Sequence, residues 1–354
     1  MTIVVPNTLA QYEDMILSTN IPQPWKVPDY RADIYMFKGN MIHKNGRLYR
    51  CLENCRGKNP EDYIDEFWYD WGAWDNINGQ IYNGEAYTSG ALVTHSSAYK
   101  HFIYKASVDV EAGVTPSINP TKWKNIGAIN LYRNLYGKTE NKTEVDGGFY
   151  IEYASNRADY ISLIGINAQS IDIEVKNSSD SILIPSKNIQ LIRKGATNWK
   201  EFWFKDFSYK TTFGMKLPLG FNNKIKVTLN SSGIARLGSV SLGRTFFVGK
   251  TLWNAGAGIL DFSKITRDEQ FGDLDVKQGS FAKRMNAIII VDTNRADSVF
   301  DFLTSIRGKE VVFIGDSNDA GFDMLKIRGI SGGWEVTLSN PTTTEISLQV
   351  KGFI

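Results

Sequence analysis

"SIDIEVK", residues 170–176, sets Ile171, Ile173 and Val175 at every second position, with Asp172, Glu174 and Lys176 between them. Successive side chains of an extended chain point to opposite faces, so the stretch predicts a strand with one buried and one solvated side. The alternation recurs in "KIKVTLN" (224–230) through Ile225, Val227 and Leu229, and in "TEISLQVKG" (344–352) through Ile346, Leu348 and Val350. Between such segments stand "NSSDS", "NSSG", "SNDAG" and "SNPTTT", whose small polar residues, glycine and proline favour turns. Helical spacing shows in "RADSVFDFLTSIRG" (295–308), where Val299, Leu303 and Ile306 share a face, Asp292 or Thr293 is placed to cap, and Gly308 offers a left-handed stop. A second short helix is expected over Leu9, Tyr12 and Ile16. The predicted class is mainly β: two small three-stranded aromatic modules, then a β-sandwich, then a β-rich C-terminal domain with one short helix.

A chain of 354 residues exceeds a single core, so two to four compact units are expected. Forty basic against 38 acidic residues leave a net charge of +2 with no basic run, which argues against a nucleic-acid partner. "MTIVVPNTLAQYEDMIL" lacks the pattern of a secretion signal, and the longest apolar runs, such as "AIIIV" (287–291), are too short to span a bilayer. Neither export by a signal nor membrane insertion is predicted. Two cysteines, Cys51 and Cys55, make no disulfide framework and fit folding in a reducing cytoplasm.

Residues 30–127 carry tryptophan and tyrosine on few long apolar runs, and they look duplicated. Gly39, Tyr49, Gly57, Pro60, Trp71 and Gly72 in the first copy answer to Gly90, Tyr99, Gly113, Pro116, Trp123 and Gly127 in the second. This order resembles the small chitin- and polysaccharide-binding modules found on glycosidases and phage tail proteins, a resemblance that implies glycan or partner contact through aromatic side chains. The candidate binding residues are Trp68, Trp71, Trp74, Tyr104 and Trp123. Units of this size fill their interiors with their own aromatic residues, which assigns Tyr49, Trp71, Tyr99 and Trp123 mainly to the core and leaves Trp68, Trp74 and Tyr104 as the exposed faces on which a sugar ring would stack.

"GVTPSINPTKWKNIGAIN" (113–130) reads as the joint that follows, with Pro116 and Pro120 holding the chain extended and Trp123 and Gly127 turning it into the first sandwich strand. From Trp123 to the C-terminus the chain resembles a family of tailed-phage virion proteins. Trp123, Gly127 and Asn130 keep that family's start motif, Asn125 stands where it has an acid, Ala128 and Ile129 replace a Pro-Thr pair, and Tyr132 and Tyr136 occupy later positions. Gly249, Asp261, Phe262, Ser263, Phe271 and Gly272 fit its distal series. The resemblance implies a structural component of a virion tail, in the baseplate, adaptor or fibre-attachment region. It would form a homo-oligomeric ring with other tail or fibre proteins as neighbours, with host surface glycans as a further partner. A free glycan-binding adhesin, or the accessory module of a polysaccharide-degrading enzyme, is the alternative.

Catalytic constellations are sparse. Cys51, Cys55 and His43 supply three ligands where a tetrahedral zinc site takes four, and the spacing of His95 and His101 does not suit a shared metal, so no metal or cofactor is predicted. "PEDYIDEFWYDW" (60–71) groups Glu61, Asp62, Asp65, Glu66 and Asp70 beside aromatic residues. Glycoside hydrolysis needs two carboxylates facing each other across a groove, whereas acids on one loop more commonly solvate it, and no catalytic residue is assigned. The expected organisation is an extended N-terminal arm that orders on a partner (1–29), modules at 30–74 and 75–127, a sandwich at 128–235 and a C-terminal domain at 236–354.

Overall fold

The computed structural model describes residues 1–6, 15–21, 30–44, 47–73, 80–97, 100–136, 142–155, 157–192, 199–204, 208–267, 274–315, 322–338 and 340–353. The protein is mainly β and divides into two compact units, Met1–Leu17 with Gly137–Ile354, and Ser18–Tyr136.

In the large unit the opening stretch is a strand, Ser170–Lys176, and its apolar positions belong to a continuous buried stripe. Ile171, Ile173 and Val175 lie opposite Leu229, Val227 and Ile225 of Asn223–Leu237, which in turn face Phe149, Ile151 and Tyr153 of Thr143–Ser155. All nine side chains are buried. A one-residue slip would turn the whole stripe to water, so the register is strongly specified. Ile182–Gln190 and Ile16–Thr19 complete this five-stranded sheet at its edges. "NSSG" is no turn here. The strand runs through it, and the pairing absorbs the irregularity as a bulge at Gly148, whose φ of +109° and 2.5 Å approach of the Leu229 carbonyl to a would-be Cβ both require glycine.

The second sheet is ten-stranded. Its middle pairs Phe281–Asp292 with Thr343–Gly352 and that strand with Lys326–Thr337, so that Ile289, Ile346 and Val336 stand in a row, as do Ala287, Leu348 and Trp334. The helix Ala296–Ser305 follows the expected spacing, burying Val299 and Leu303, with Ile306 buried just beyond it and Gly308 at φ +71°. Asp292 stands at the N-cap of the short turn Thr293–Arg295 but makes no side-chain capping bond. "NSSDS" and "SNPTTT" do turn the chain: Asn177 accepts from the amides of Ser179 and Ser181, and Asn340 from those of Thr342 and Thr343. "SNDAG" lies outside the described residues, as do Leu9 and Tyr12. Ile16 sits in a strand rather than in the expected helix.

Three boundaries move. Within the expected arm 1–29, Thr2–Pro6 is an interior strand, hydrogen-bonded to Ser239–Phe247 on one side and Val311–Ile314 on the other, with Ile3 and Val4 buried, while residues 7–14 and 22–29 lie outside the described residues. A strand covered on both faces reads as an unbroken β-branched run, here "TIVV", instead of an alternation. Each such buried side chain contributes about 1.5–3 kcal/mol. The break expected at 235/236 falls inside Asn223–Leu237. "WKNIGA" is likewise no sandwich strand; Trp123–Ala128 pairs with Lys100–Ala106 inside the small unit, which ends at Tyr136.

Candidate functional site

The small unit contains the duplication that the sequence suggests, in a sharper form. Each copy opens on a glycine at φ +91°, Gly39 and Gly90, whose amide donates at 2.8 Å to the carbonyl of Cys51 and of Ala106 respectively. Three residues later Ile42 and Val93 face Tyr49 and Tyr104 across a hairpin. Cys51 and Ala106 then pair with Trp68 and Trp123 on the third strand. Both third strands carry the same irregularity, an extra residue, Trp71 or Ile126, opposite the step from Leu48 to Tyr49 in one copy and from Ile103 to Tyr104 in the other. Both indoles donate at 2.9 Å to a carbonyl of the preceding loop, Trp68 to Lys58 and Trp123 to Val114. A tyrosine presents edge-on to each, Tyr30 at 6.3 Å and Tyr82 at 6.4 Å between ring centres.

This geometry corrects the repeat. Tyr104, not Tyr99, answers to Tyr49, and Trp68, not Trp71, answers to Trp123. The signal was present in "YRC" against "YKA", and in the identical spacing from Trp68 to Gly72-Ala73 and from Trp123 to Gly127-Ala128. A longer hairpin in the second copy, Leu92–Ser97 with Lys100–Ala106, hides it from a count made from the leading glycine.

The stacking assignments change accordingly. Trp68 is wholly buried, Tyr104 is 7 % exposed and Trp123 is 1 % exposed, so none of the three offers a face to a ligand. Each is a core residue because a module with so few aliphatic side chains closes around its aromatic ones. Burial pushes the Tyr49 and Tyr104 hydroxyls above the ordinary phenol range. Trp71 lies on the third strand, Trp68–Ala73, its side chain outside the described residues, and Trp74 and Tyr99 are outside them altogether.

The aromatic surface that the first module does present is one that sequence reasoning missed. Tyr35 and Phe37 flank the buried Met36, are 49 % and 60 % exposed, and meet edge to face at 5.1 Å. Their signal was alternation: "YMF" places the two rings on the side opposite Met36. The acidic cluster is largely engaged at the surface. Glu61 pairs with Lys44 at 3.3 Å, Asp70 with Arg47 at 2.6 Å, and Asp62 accepts from Asn59 at 2.8 Å. Asp65 occupies a turn at φ +62°. Cys51 and Cys55 are buried with their sulfurs 3.8 Å apart, while the His43 side chain lies outside the described residues.

A different exposed surface belongs to the large unit. Gly256–Asp261 pairs with residues 281–286, of which 284–286 also pair with Thr343–Gly352; beyond them the two strands continue as a ribbon, which Lys264–Arg267 and Leu274–Lys277 prolong. Gly279 lets the two strands close in, since a Cβ there would stand 2.4 Å from the Phe262 carbonyl. Asp261 turns the chain by accepting from the amide and hydroxyl of Ser263. Phe271 and Gly272 fall outside the described residues. Along this arm Ile259, Phe262, Ile265, Leu274, Val276 and Phe281 are all more than half exposed, and Ile265 faces Val276 across the ribbon.

No protein-family model matches the chain, and no curated protein matches it. Among solved structures, the chain is similar to the lectin domain of lectinolysin complexed with Lewis B antigen, at 11 % identity and a TM-score of 0.22, over 32 % of this chain and 77 % of that one.

Proposed function

We propose that this chain is a structural subunit of a tailed-phage particle, in the tail, baseplate or fibre-attachment region. Its large unit assembles with copies of itself, and its small modules serve as a contact surface for fibres or host glycans. The observation that supports this reading most directly is the arm formed by residues 259–267 and 274–283, which carries six large apolar side chains into solvent on paired strands with no third strand beside them among the described residues. An isolated two-stranded ribbon is marginal in water, and contiguous exposed apolar surface of this kind serves association. Rotational symmetry would let one arm rest on the same surface of each neighbour. The subunit works by shape and adhesion, without catalysis: Glu61 and Asp70, in the one dense acidic stretch, are tied to Lys44 and Arg47.

Light scattering on the purified chain tests the reading. A defined multimer is expected, and Ile265→Asp with Val276→Lys should reduce it to a monomer that still folds; a wild-type chain that stays monomeric at tens of micromolar would reject assembly through the arm. Electron microscopy of particles with this chain labelled tests the location, and the label should sit on the tail. A second reading, a free glycan-binding adhesin, is favoured by the exposed Tyr35 and Phe37 rings. It predicts glycan-array binding by the isolated chain that Tyr35→Ala and Phe37→Ala abolish.

A further inference from the structure

A cavity of about 520 Å³ lies in the large unit, where Lys142, Glu144 and Arg236 of one sheet approach Lys283, Lys326 and Arg328 of the other. Among the described residues, five cations and a single carboxylate line it. Glu144 pairs with Arg236 at 3.2 Å, and two carboxylates outside the lining engage its cations, Glu310 with Arg328 and Asp323 with Lys326 at 3.7 Å. Four buried polar atoms on lining residues have no hydrogen-bond partner among the described residues; Nε of Arg236 and Nε of Arg328 face carboxylates in the ion pairs above, which leaves Nη1 of Arg328, a residue 5 % exposed, and Oγ1 of Thr212, 2 % exposed. Groups buried in this way are costly unless something completes them. Thr211, Gln278 and Ser280 add neutral hydrogen-bonding groups, and the partly exposed rings of Phe281 and Phe353 add apolar faces.

We infer that this cavity binds an acidic oligosaccharide, a ligand of about disaccharide size whose carboxylate or sulfate groups meet the lysine and arginine side chains. The volume lies within the usual range for small-molecule sites. The lining supplies what each part of such a ligand needs: fixed positive charge for the acid group, hydroxyl and amide groups for the ring hydroxyls, and phenyl faces for the C–H face of the ring. A simple anion would use the charge alone and would leave the neutral groups and both rings without a role. Gln278, Ser280, Phe281 and Lys283 of the lining lie at the base of the arm, so the site borders the surface proposed for assembly, and the oligomeric state is to be measured alongside binding.

Calorimetric titration of the full chain at low salt, with digalacturonate, a sulfated heparin disaccharide, neutral lactose and inorganic phosphate as probes, tests the inference. One or both acidic sugars should bind, weaken as salt is raised, and bind at least tenfold more tightly than lactose and phosphate. Lys142→Ala with Lys283→Ala, both at partly exposed positions, should lower that affinity about tenfold while leaving the melting temperature unchanged. The inference is overturned if neither acidic sugar binds, if lactose binds equally well, if phosphate binds as tightly and displaces the sugar, or if the lysine variant binds unchanged.

Discussion

The two small modules share a skeleton and differ in what fills it. In both, a left-handed glycine opens the hairpin, a buried tyrosine stands two residues before the position that pairs with tryptophan, and the indole is anchored to a loop carbonyl. Where the first module buries Cys51 and Cys55, the second places Ala106 and Val110. Where the first has Lys44, reaching Glu61 and lying 5.2 Å over the Tyr30 ring, the second has His95, set among the rings of Tyr82 and Tyr104 at 5.4 and 6.3 Å. One module is tuned by charge and sulfur, the other by packed rings. The comparison teaches that glycine conformation, strand register and a tethered indole define the module, while the flanking positions are free to diverge.

If that is so, the largest effect comes from the shared anchor. Trp68→Ala and Trp123→Ala should each cost about 3–5 kcal/mol, the usual loss for a buried aromatic truncated to alanine. Hydrogen exchange on the full chain should show the loss confined to amides of the substituted module. Opening of both modules by either change would mean that they form one cooperative block and that the repeat is only a resemblance of parts.

The cysteine pair is the next place to press. Cys51→Ala with Cys55→Val gives the first module the side chains of the second and should change stability by less than about 1.5 kcal/mol, as near-conservative apolar swaps do. In the parent chain, burial and the neighbouring Cys55 push the Cys51 thiol up to about 11. Since the native thiol holds its proton where the unfolded one has lost it, stability is full below the ordinary thiol range and falls as pH rises toward 11. Iodoacetamide at pH 8 should therefore label Cys51 only after unfolding, and the double variant should show a smaller alkaline decline in denaturant midpoint, the remainder coming from the buried Tyr49 and Tyr104 hydroxyls.

His95 gives the opposite sign. Burial among neutral rings holds its imidazole below the ordinary histidine range. The unfolded chain then takes up a proton that the native module refuses, so stability is full above the ordinary histidine pKa and declines as pH falls below it. The rings of Tyr82 and Tyr104 pack on it at 5.4 and 6.3 Å between centres. His95→Phe should flatten the acid limb of exchange in the second module and leave the first, with Lys44 at that position, as it was.

How far the sequence could be read follows from the same physics. Period-two alternation marks a strand with one wet face, and it located Ser170–Lys176, Asn223–Leu237 and Thr343–Gly352. It does not mark a strand buried on both faces, which is why Thr2–Pro6 reads as part of a proline-rich arm. Aromatic content identified the modules but not which rings are exposed. That depends on parity along a short strand, and a one-residue change of register exchanges a buried ring for a surface one. The cavity was illegible for another reason: its cations come from four separate stretches between Lys142 and Arg328, brought together only by the pairing of distant strands.

The smallest effect expected is at the surface of the first module, where Arg47 and Asp70 pair at 2.6 Å across neighbouring strands. The second module has Phe102 and Asn125 at the matching places, so the shared skeleton does without this ion pair. The Arg47 side chain is about half exposed, and pairs of this kind contribute roughly 0–1 kcal/mol and are screened by salt. Asp70→Asn should lower stability by no more than that, with the difference shrinking between 50 mM and 1 M salt. A larger loss that persisted at high salt would place Asp70 among the residues that define the module, and the division between skeleton and flanking positions would have to be redrawn on the charged side.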